Sequence, residues 1–329
     1  PVAASVLGAT LDGPESITRI GARVERDSMD LLQAAHTFSG IEMALWDLLG
    51  QHRQLPVWKM LGFEKATSKI PYASLLFGDT ADETLARARK ALADGFSAVK
   101  FGWGPIGTLD AAFDADHFVA AREGIGNDGH LMVDVGQIFV EDIEAAAARL
   151  PALEQARAHW LEEPFSGHAF EAYADLAARS PNVGIGGGEA AHNIAMARHL
   201  MDFGKVKFVQ IDCGRIGGIG PAFEVAQLAQ VRGVTYVNHT FTTHLALSAS
   251  LQPFAGIADD RICEYPANPS ALALAVVANP ITRNLAGEVF APDAPGLGVK
   301  VDTDALKPYL VDTEIKVGGK VIYATPSLG

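Results

Sequence analysis

Asp134, Glu162 and Glu189 follow one another down the chain, each close behind a short apolar run: Leu131-Met132-Val133, Trp160-Leu161 and Val183 to Gly188. If these runs are consecutive parallel strands, three carboxylates are aimed at one point. Like charges in one pocket repel unless a cation joins them. Hard oxygen donors that leave room for substrate and water suit Mg²⁺, with Mn²⁺ as the alternative. Taken singly, an acid at a strand end is more often a helix cap or an ion-pair partner than a ligand. Recurrence over three successive units reverses that preference, because caps have no reason to recur in register.

The next three apolar runs carry a different set. Asp212 ends the first, His239 the second, and Glu264 lies within the third. From a neighbouring strand end, Asp212 can accept a hydrogen bond from one nitrogen of His239, fixing its tautomer and raising its basicity, which makes His239 the candidate general base. His244 falls inside the apolar pattern of Thr243–Leu251 and is assigned to a helix. His168 and His192 stand at helix openings, where solvent or backbone contacts are the plainer account. Lys100, at the end of Val99-Lys100-Phe101-Gly102-Trp103, flanks the acids from the other side. It can hold a substrate carboxylate, or pair as a strand lysine with a nearby acid.

These residues need a scaffold that repeats. From Ile70 onward, eight β-branched or aromatic runs alternate with Ala/Leu-rich segments: Ile70–Leu76, Ala98–Trp103, His130–Gly136, His159–Pro164, Val183–Glu189, Phe208–Asp212, Val234–Thr240 and Arg261–Pro266. This is the pattern of βα units around a parallel sheet. An open doubly wound sheet alternates in the same way, but eight units favour closure into a (β/α) barrel, whose sites lie at the C-terminal ends of the strands. In Asp82–Ala93, Leu85, Ala88 and Leu92 fall on one helical face and Gly95 is the stop signal. Ahead of the repeats, Phe38–Gly50 reads as a helix capped by Ser39 and ended by Gly50, followed by a short helix over Pro56–Leu61. After Leu310, Thr313–Tyr323 reads as a hairpin turning at Gly318-Gly319, expected to pair with the N-terminal piece. The expected division is a partial α+β capping domain over 1–66, the α/β barrel over 67–311, and a segment returning to the cap over 312–329.

Composition sets outer limits. Hydrophobic residues make up 49% of 329, enough for a sizeable core. A net charge of −13 without basic runs argues against nucleic acid. No apolar stretch is long enough for a membrane span, and no leader opens the chain, so a cytoplasmic location is expected. Cys213 and Cys263 sit in apolar runs as buried reduced thiols. The chain opens at Pro1 with no natural domain start, and a shortened N-terminal region is expected.

Several motifs in order resemble the mandelate racemase-like group of the enolase superfamily: Ser39-Gly40-Ile41-Glu42-Met43-Ala44-Leu45-Trp46-Asp47, Val133-Asp134, Trp160-Leu161-Glu162-Glu163-Pro164, Gly187-Gly188-Glu189, Asp212 to Gly218, and Pro295-Gly296-Leu297-Gly298. The resemblance implies a cap, built from both chain ends, that closes the barrel mouth and selects substrate. It implies that Asp134, Glu162 and Glu189 are Mg²⁺ ligands, that Asp212 and His239 are the catalytic dyad, and that a protonated Glu264 hydrogen-bonds the substrate carboxylate. Glu163 is left as a neighbour of the ligand. It also implies a homo-oligomer acting on a small-molecule carboxylate.

Two departures from the family narrow the chemistry. Racemising members carry Lys-x-Lys on the second strand, where this chain has Gly102 in place of the second lysine. Some dehydratases carry a histidine two residues beyond the first ligand, where this chain has Gly136. With one base, the expected reaction is elimination: dehydration of a sugar acid to a 2-keto-3-deoxy acid. The rival readings are a racemase or epimerase using Lys100 as second base, and a metal-binding barrel without catalysis.

Overall fold

The structure is a computed structural model that describes residues 2–29, 31 and 33–327. Pro1, the expected start of a shortened cap, lies outside the described residues. Eight strands form one parallel sheet: β1 (Ile70–Leu76), β2 (Ala98–Gly102), β3 (His130–Asp134), β4 (Ala158–Glu162), β5 (Gly184–Gly187), β6 (Phe208–Ile211), β7 (Thr235–Asn238) and β8 (Ile262–Tyr265). Their order is β7-β6-β5-β4-β3-β2-β1-β8, with every ladder parallel. Most strands stop one or two residues before the apolar runs do. The last residues of each run leave the ladder and build the rim.

The sheet curls into a nearly closed barrel, and side chains close the gap between β7 and β8. Asn238 Nδ2 donates to the Glu264 carbonyl at 3.3 Å, and Glu264 N donates to Asn238 Oδ1 at 2.9 Å. A carboxamide has one donor and one acceptor side, so Asn238 substitutes for a peptide unit in the missing ladder. Lower down, Tyr236 N donates to Asp260 Oδ2 at 3.1 Å.

The two-residue pleat sorts the strands into layers. Tyr72, Ala98, Met132, Trp160, Phe208 and Val237 fill the barrel interior as one apolar cluster. The alternate residues, including Val99, Leu131, Val133, Leu161, Ile185 and Val209, point outward into the core beneath the helices. Two residues further along each of those six strands, and beyond Ile262 on β8, the interior turns polar: Ser74, Lys100, Asp134, Glu162, Gln210, His239 and Glu264. An apolar plug therefore carries a charged floor that faces the barrel mouth.

The N-terminal region is helical, with helices Val2–Val6, Pro14–Asp27, Ala34–Arg53 and Val57–Met60. Val2, Ile20, Val24 and Phe38 form its own small core. Here the structure corrects two sequence expectations. Ser39 does not cap a helix, because the helix already begins at Ala34. Its hydroxyl instead donates to the Ala35 carbonyl and accepts from Gly217 N at 2.9 Å, tying the helix to the barrel. Gly50 is not a stop either, since the helix runs on to Arg53 and ends at Gln54 with φ 55°. Gly50 lets two backbones approach: a Cβ there would lie 2.6 Å from Gly296 Cα. Gly50→Ala is expected to cost roughly 1–3 kcal/mol through overpacking, and an unchanged urea midpoint would remove this account.

Glu42 makes the main polar contact between this helix and the barrel. Its Oε2 accepts from Ile219 N at 2.7 Å, and its Oε1 accepts from Gly220 N at 2.9 Å and Trp46 Nε1 at 2.8 Å. Those amides open the helix Ile219–Arg232, where free N–H groups and the helix dipole favour an acid. Burial nevertheless pushes the Glu42 carboxyl up to about 7.

Two further differences concern the outer elements. The helix Ala81–Ala93 buries Thr84, Ala88 and Ala91, while Leu92 is exposed, so its inward stripe is built from smaller residues than expected. The C-terminal hairpin, β9 (Glu314–Val317) and β10 (Lys320–Ala324), turns at Gly318-Gly319 as expected. Its strands are exposed throughout and, among the described residues, pair only with each other rather than with the N-terminal piece. No helix among the described residues is long and apolar enough to cross a membrane.

Candidate active site

Asp134 ends β3, Glu162 ends β4, and Glu189 follows β5 after Gly188. Gly188 has φ +130°, and a Cβ there would lie 2.8 Å from the Gln210 carbonyl, so only glycine turns the chain here without strain. The three acids each offer an oxygen, and these oxygens lie within 4.8 Å of one another. Asp134 Oδ1 is steadied by Gly136 N at 3.0 Å, and Glu162 Oε2 by Trp160 Nε1 at 3.0 Å. A donor set of carboxylate oxygens alone, with neither nitrogen nor sulfur, fits Mg²⁺ or Mn²⁺.

Cationic groups surround the triad. Lys100 Nζ lies 2.8 Å from Glu162 Oε1, 3.2 Å from Glu264 Oε1 and 3.3 Å from Asp134 Oδ2. Arg215 Nη1 lies 2.8 Å from Glu189 Oε1. His239 Nε2 lies 2.8 Å from Glu189 Oε2, and its Nδ1 lies 2.7 Å from Asp212 Oδ2. The expected dyad thus forms, with Nδ1 committed to Asp212 and Nε2 facing the acids. Asp212 in turn takes Gly214 N at 2.6 Å through its other oxygen, which fixes the carboxylate plane.

Burial works on all these groups, and the neighbours decide the outcome. It raises the Asp134 and Glu162 carboxyls above their ordinary range despite Lys100. Glu189 is driven below that range: burial opposes this, but His239, Lys100 and Arg215 outweigh it. Burial alone would lower Lys100 and His239, yet Glu162 and Glu264 hold the lysine well above its usual value, and Glu264, Asp212 and Glu189 do the same for the imidazole. The pocket holds more acid than its side-chain cations balance, which is the electrostatic setting for a divalent cation.

One sequence expectation is revised: Lys100 does not end its strand. It sits in mid-strand, 3% exposed and ringed by three carboxylates, so the pairing of a strand lysine with nearby acids is the one of its two readings that the contacts display. Burial would raise the Glu264 carboxyl, but Lys100 and His239 hold it below the carboxylate range, and its Oε2 accepts from Thr240 N at 2.6 Å.

The two positions singled out in the sequence for a second lysine and for a histidine are both glycines. A Cβ at Gly102 would lie 3.3 Å from Asp134, so a second strand lysine would press on a ligand. Gly136 has φ +51°, and a Cβ there would lie 3.0 Å from the Trp103 ring. The indole occupies the space that a residue two positions beyond the first ligand would need.

Some residues lie in quoted motifs or helices without their contacts being legible there. Arg215 lies in the quoted Asp212–Gly218 stretch, but nothing there says that it turns back to Glu189. Glu163, at φ 44°, is buried beside the triad; burial and Glu189 push it up to about 7, and Gln137 Nε2 donates to it at 3.0 Å. His36 reaches the cavity from the N-terminal helix, a contact that only docking creates. His244 opens the helix His244–Leu251, as assigned.

Fold and site together define an enolase-type (β/α) barrel with an acidic triad and a His–Asp dyad at its mouth. The chain belongs to the enolase superfamily: residues 83–305 match the profile described as enolase C-terminal domain-like, and residues 4–62 match the mandelate racemase / muconate lactonizing enzyme N-terminal domain. Among solved structures, a predicted mandelate racemase from Rhodobacter sphaeroides is 63% identical, with TM-score 0.95, over 99% of this chain and 84% of that one. A racemase from Streptomyces coelicolor with bound magnesium is 27% identical, with TM-score 0.80, over 93% and 81%. Among curated relatives, the D-galactarolactone cycloisomerase of Agrobacterium fabrum is 29% identical over 82% of this chain and 73% of that protein. The D-galactonate dehydratase of Klebsiella pneumoniae is 29% identical over 81% and 71%.

Proposed function

We propose that the protein is a Mg²⁺-dependent lyase, with Mn²⁺ as a substitute ion, that removes the α-proton of a sugar acid and eliminates the β-hydroxyl to give a 2-keto-3-deoxy acid. The observation that carries this reading is His239 held on Asp212 beside the acidic triad: Nδ1 lies 2.7 Å from Asp212 Oδ2 and Nε2 2.8 Å from Glu189 Oε2, while positions 102 and 136 are glycines. Asp134, Glu162 and Glu189 would hold the cation, which supplies Lewis-acid stabilisation of charge developing on the substrate carboxylate. Lys100 adds a fixed positive charge from the pocket floor. Glu264 holds Lys100 and the Thr240 backbone in place.

His239 Nε2 takes the α-proton while Asp212 keeps the imidazole in the required tautomer and stabilises the cation that forms. The same imidazolium returns the proton to the departing β-hydroxyl, which leaves as water, and the resulting enol tautomerises to the 2-keto acid. Relatives named as a dehydratase and a cycloisomerase support an acid-sugar enzyme, and the solved structures named as racemases make racemisation the rival reading. The reading extends to a homo-oligomer.

The test is a library of aldonic and aldaric acids incubated with purified protein and Mg²⁺. At least one member is expected to yield a 2-keto acid, and an unreactive analogue lacking a β-hydroxyl is expected to exchange its α-hydrogen in D₂O with retention. No keto acid across the library, or exchange accompanied by racemisation, would end this assignment.

A further inference from the structure

Asp212 and Arg215 reach the active site from one short turn, Asp212 to Gly218, whose near end closes on itself. Arg215 N and Ile216 N both donate to the Asp212 carbonyl at 3.1 Å, and Gly214 N donates to Asp212 Oδ1 at 2.6 Å. The turn so formed presents Asp212 Oδ2 at 2.7 Å from His239 Nδ1 and Arg215 Nη1 at 2.8 Å from Glu189 Oε1. The buried side chains of Cys213 and Ile216 seat it on the core.

The far end is held from outside. Gly217 and Gly218 follow at φ +111° and +118°, with no side chain to anchor them. Gly218 precedes the helix Ile219–Arg232 and gives it no side-chain cap, so the N–H groups of that helix start must be met from elsewhere. Two side chains of the helix Ala34–Arg53 meet them. Ser39 Oγ accepts from Gly217 N at 2.9 Å, Glu42 Oε2 accepts from Ile219 N at 2.7 Å, and Glu42 Oε1 accepts from Gly220 N at 2.9 Å. Trp46 Nε1 donates to the same Oε1 at 2.8 Å, which fixes the carboxylate. Ser39 and Glu42 are both buried, so no water competes for these bonds.

We propose that Ser39 and Glu42 are positioning residues for the His239–Asp212 dyad: by clamping Gly217, Ile219 and Gly220 they set where the turn places the Asp212 carboxylate and the Arg215 guanidinium. Neither residue contacts the dyad. With the far end released, the displacement is taken up by the backbone between Gly217 and Asp212, the stretch whose amides orient the Asp212 carboxylate. The catalytic consequence rests on the lyase reading, which gives Asp212 and His239 their roles; the mechanical link does not. The N-terminal region thereby acts on the chemistry through the backbone it holds.

The first test needs no turnover. Amide hydrogen exchange, resolved to single residues, is compared in the unsubstituted protein, Glu42→Ala and Ser39→Ala. Loss of an acceptor frees Gly217, Ile219 or Gly220 directly; the proposal requires that Gly214, Arg215 and Ile216 follow, by roughly tenfold or more, while His239 N, bonded to the Ile211 carbonyl at 2.9 Å, keeps its rate and reports an intact barrel. Gly50→Ala, which strains the same helix against Gly296, is the control and is expected to leave Gly214 to Ile216 unchanged. Should Glu42→Ala fail to fold, Ser39→Ala, which removes a single acceptor, decides. The second test uses any acid that the protein turns over. Glu42→Ala is expected to lower kcat by roughly 10–10²-fold with KM within about twofold, the signature of a misplaced reacting group. Glu42→Gln, whose carboxamide oxygen can still take Gly220 N and Trp46 Nε1, is expected to restore part of the loss. Exchange gains confined to Gly217, Ile219 and Gly220, the same gains at Gly214 to Ile216 in Gly50→Ala, or a raised KM at unchanged kcat would overturn the proposal. If no acid in the library gives a keto acid, the lyase reading falls while the exchange measurement still decides this one.

Discussion

His239→Asn is expected to lower kcat/KM for keto-acid formation by roughly 10²–10⁴-fold, the range a positioned general base supplies, and to stop α-hydrogen exchange. Asparagine retains a polar head near Asp212 but cannot take a proton. Asp212→Asn is expected to act through the same imidazole: the 2.7 Å contact to Nδ1 is the one that fixes the tautomer, and an amide can present the wrong partner to it. Because the two residues work as a unit, the double variant should be little worse than His239→Asn alone. Multiplicative losses in the double variant would mean that Asp212 serves some other purpose. Exchange that persists in His239→Asn would assign the base elsewhere.

Lys100→Met is the substitution expected to cost most stability. Methionine matches the length of the side chain but removes the cation that contacts Glu162, Glu264 and Asp134 together, all nearly sealed from solvent. Breaking one side of a buried ionic cluster costs about 3–5 kcal/mol, because the charges left behind have no water to turn to. The pH dependence has a definite sign. Glu264 is held below its unfolded value by Lys100 and His239 against the effect of burial, so its contribution is present above the ordinary carboxylate range and is lost as pH falls through its folded value. The deficit of Lys100→Met relative to the unsubstituted protein should therefore shrink on acidification, as the orphaned carboxyls take up protons. Denaturant titrations at several pH values measure it, and a deficit that stays constant or grows toward low pH would contradict the charge account.

Much of the site could be read before any fold was known, and the reason is local. A strand turns successive side chains to opposite faces, so once Trp160 faces inward, Glu162 must as well; the same holds for Met132 and Asp134, and for Ala98 and Lys100. The residue types then name the chemistry. Local reasoning failed where a residue's meaning depended on a distant segment. Ser39 looks like a cap until Gly217 is placed against it, and Gly50 looks like a helix stop until Gly296 is.

Lys100 shows the boundary between the two. Its strand and facing were legible, but its depth was not, because depth depends on how the barrel shear sets β2 against β3, β4 and β8. The same limit applies to the Asn238 bridge across β7 and β8, to Arg215 turning back on Glu189, and to His36 arriving from a cap helix more than 150 residues before its partner. The amino-acid order by itself determined which side chains line the barrel and at which end they gather, since pleat and helix periods act over neighbouring residues. Only the tertiary structure decided which cation meets which acid, since those are contacts between segments whose separation is set by packing.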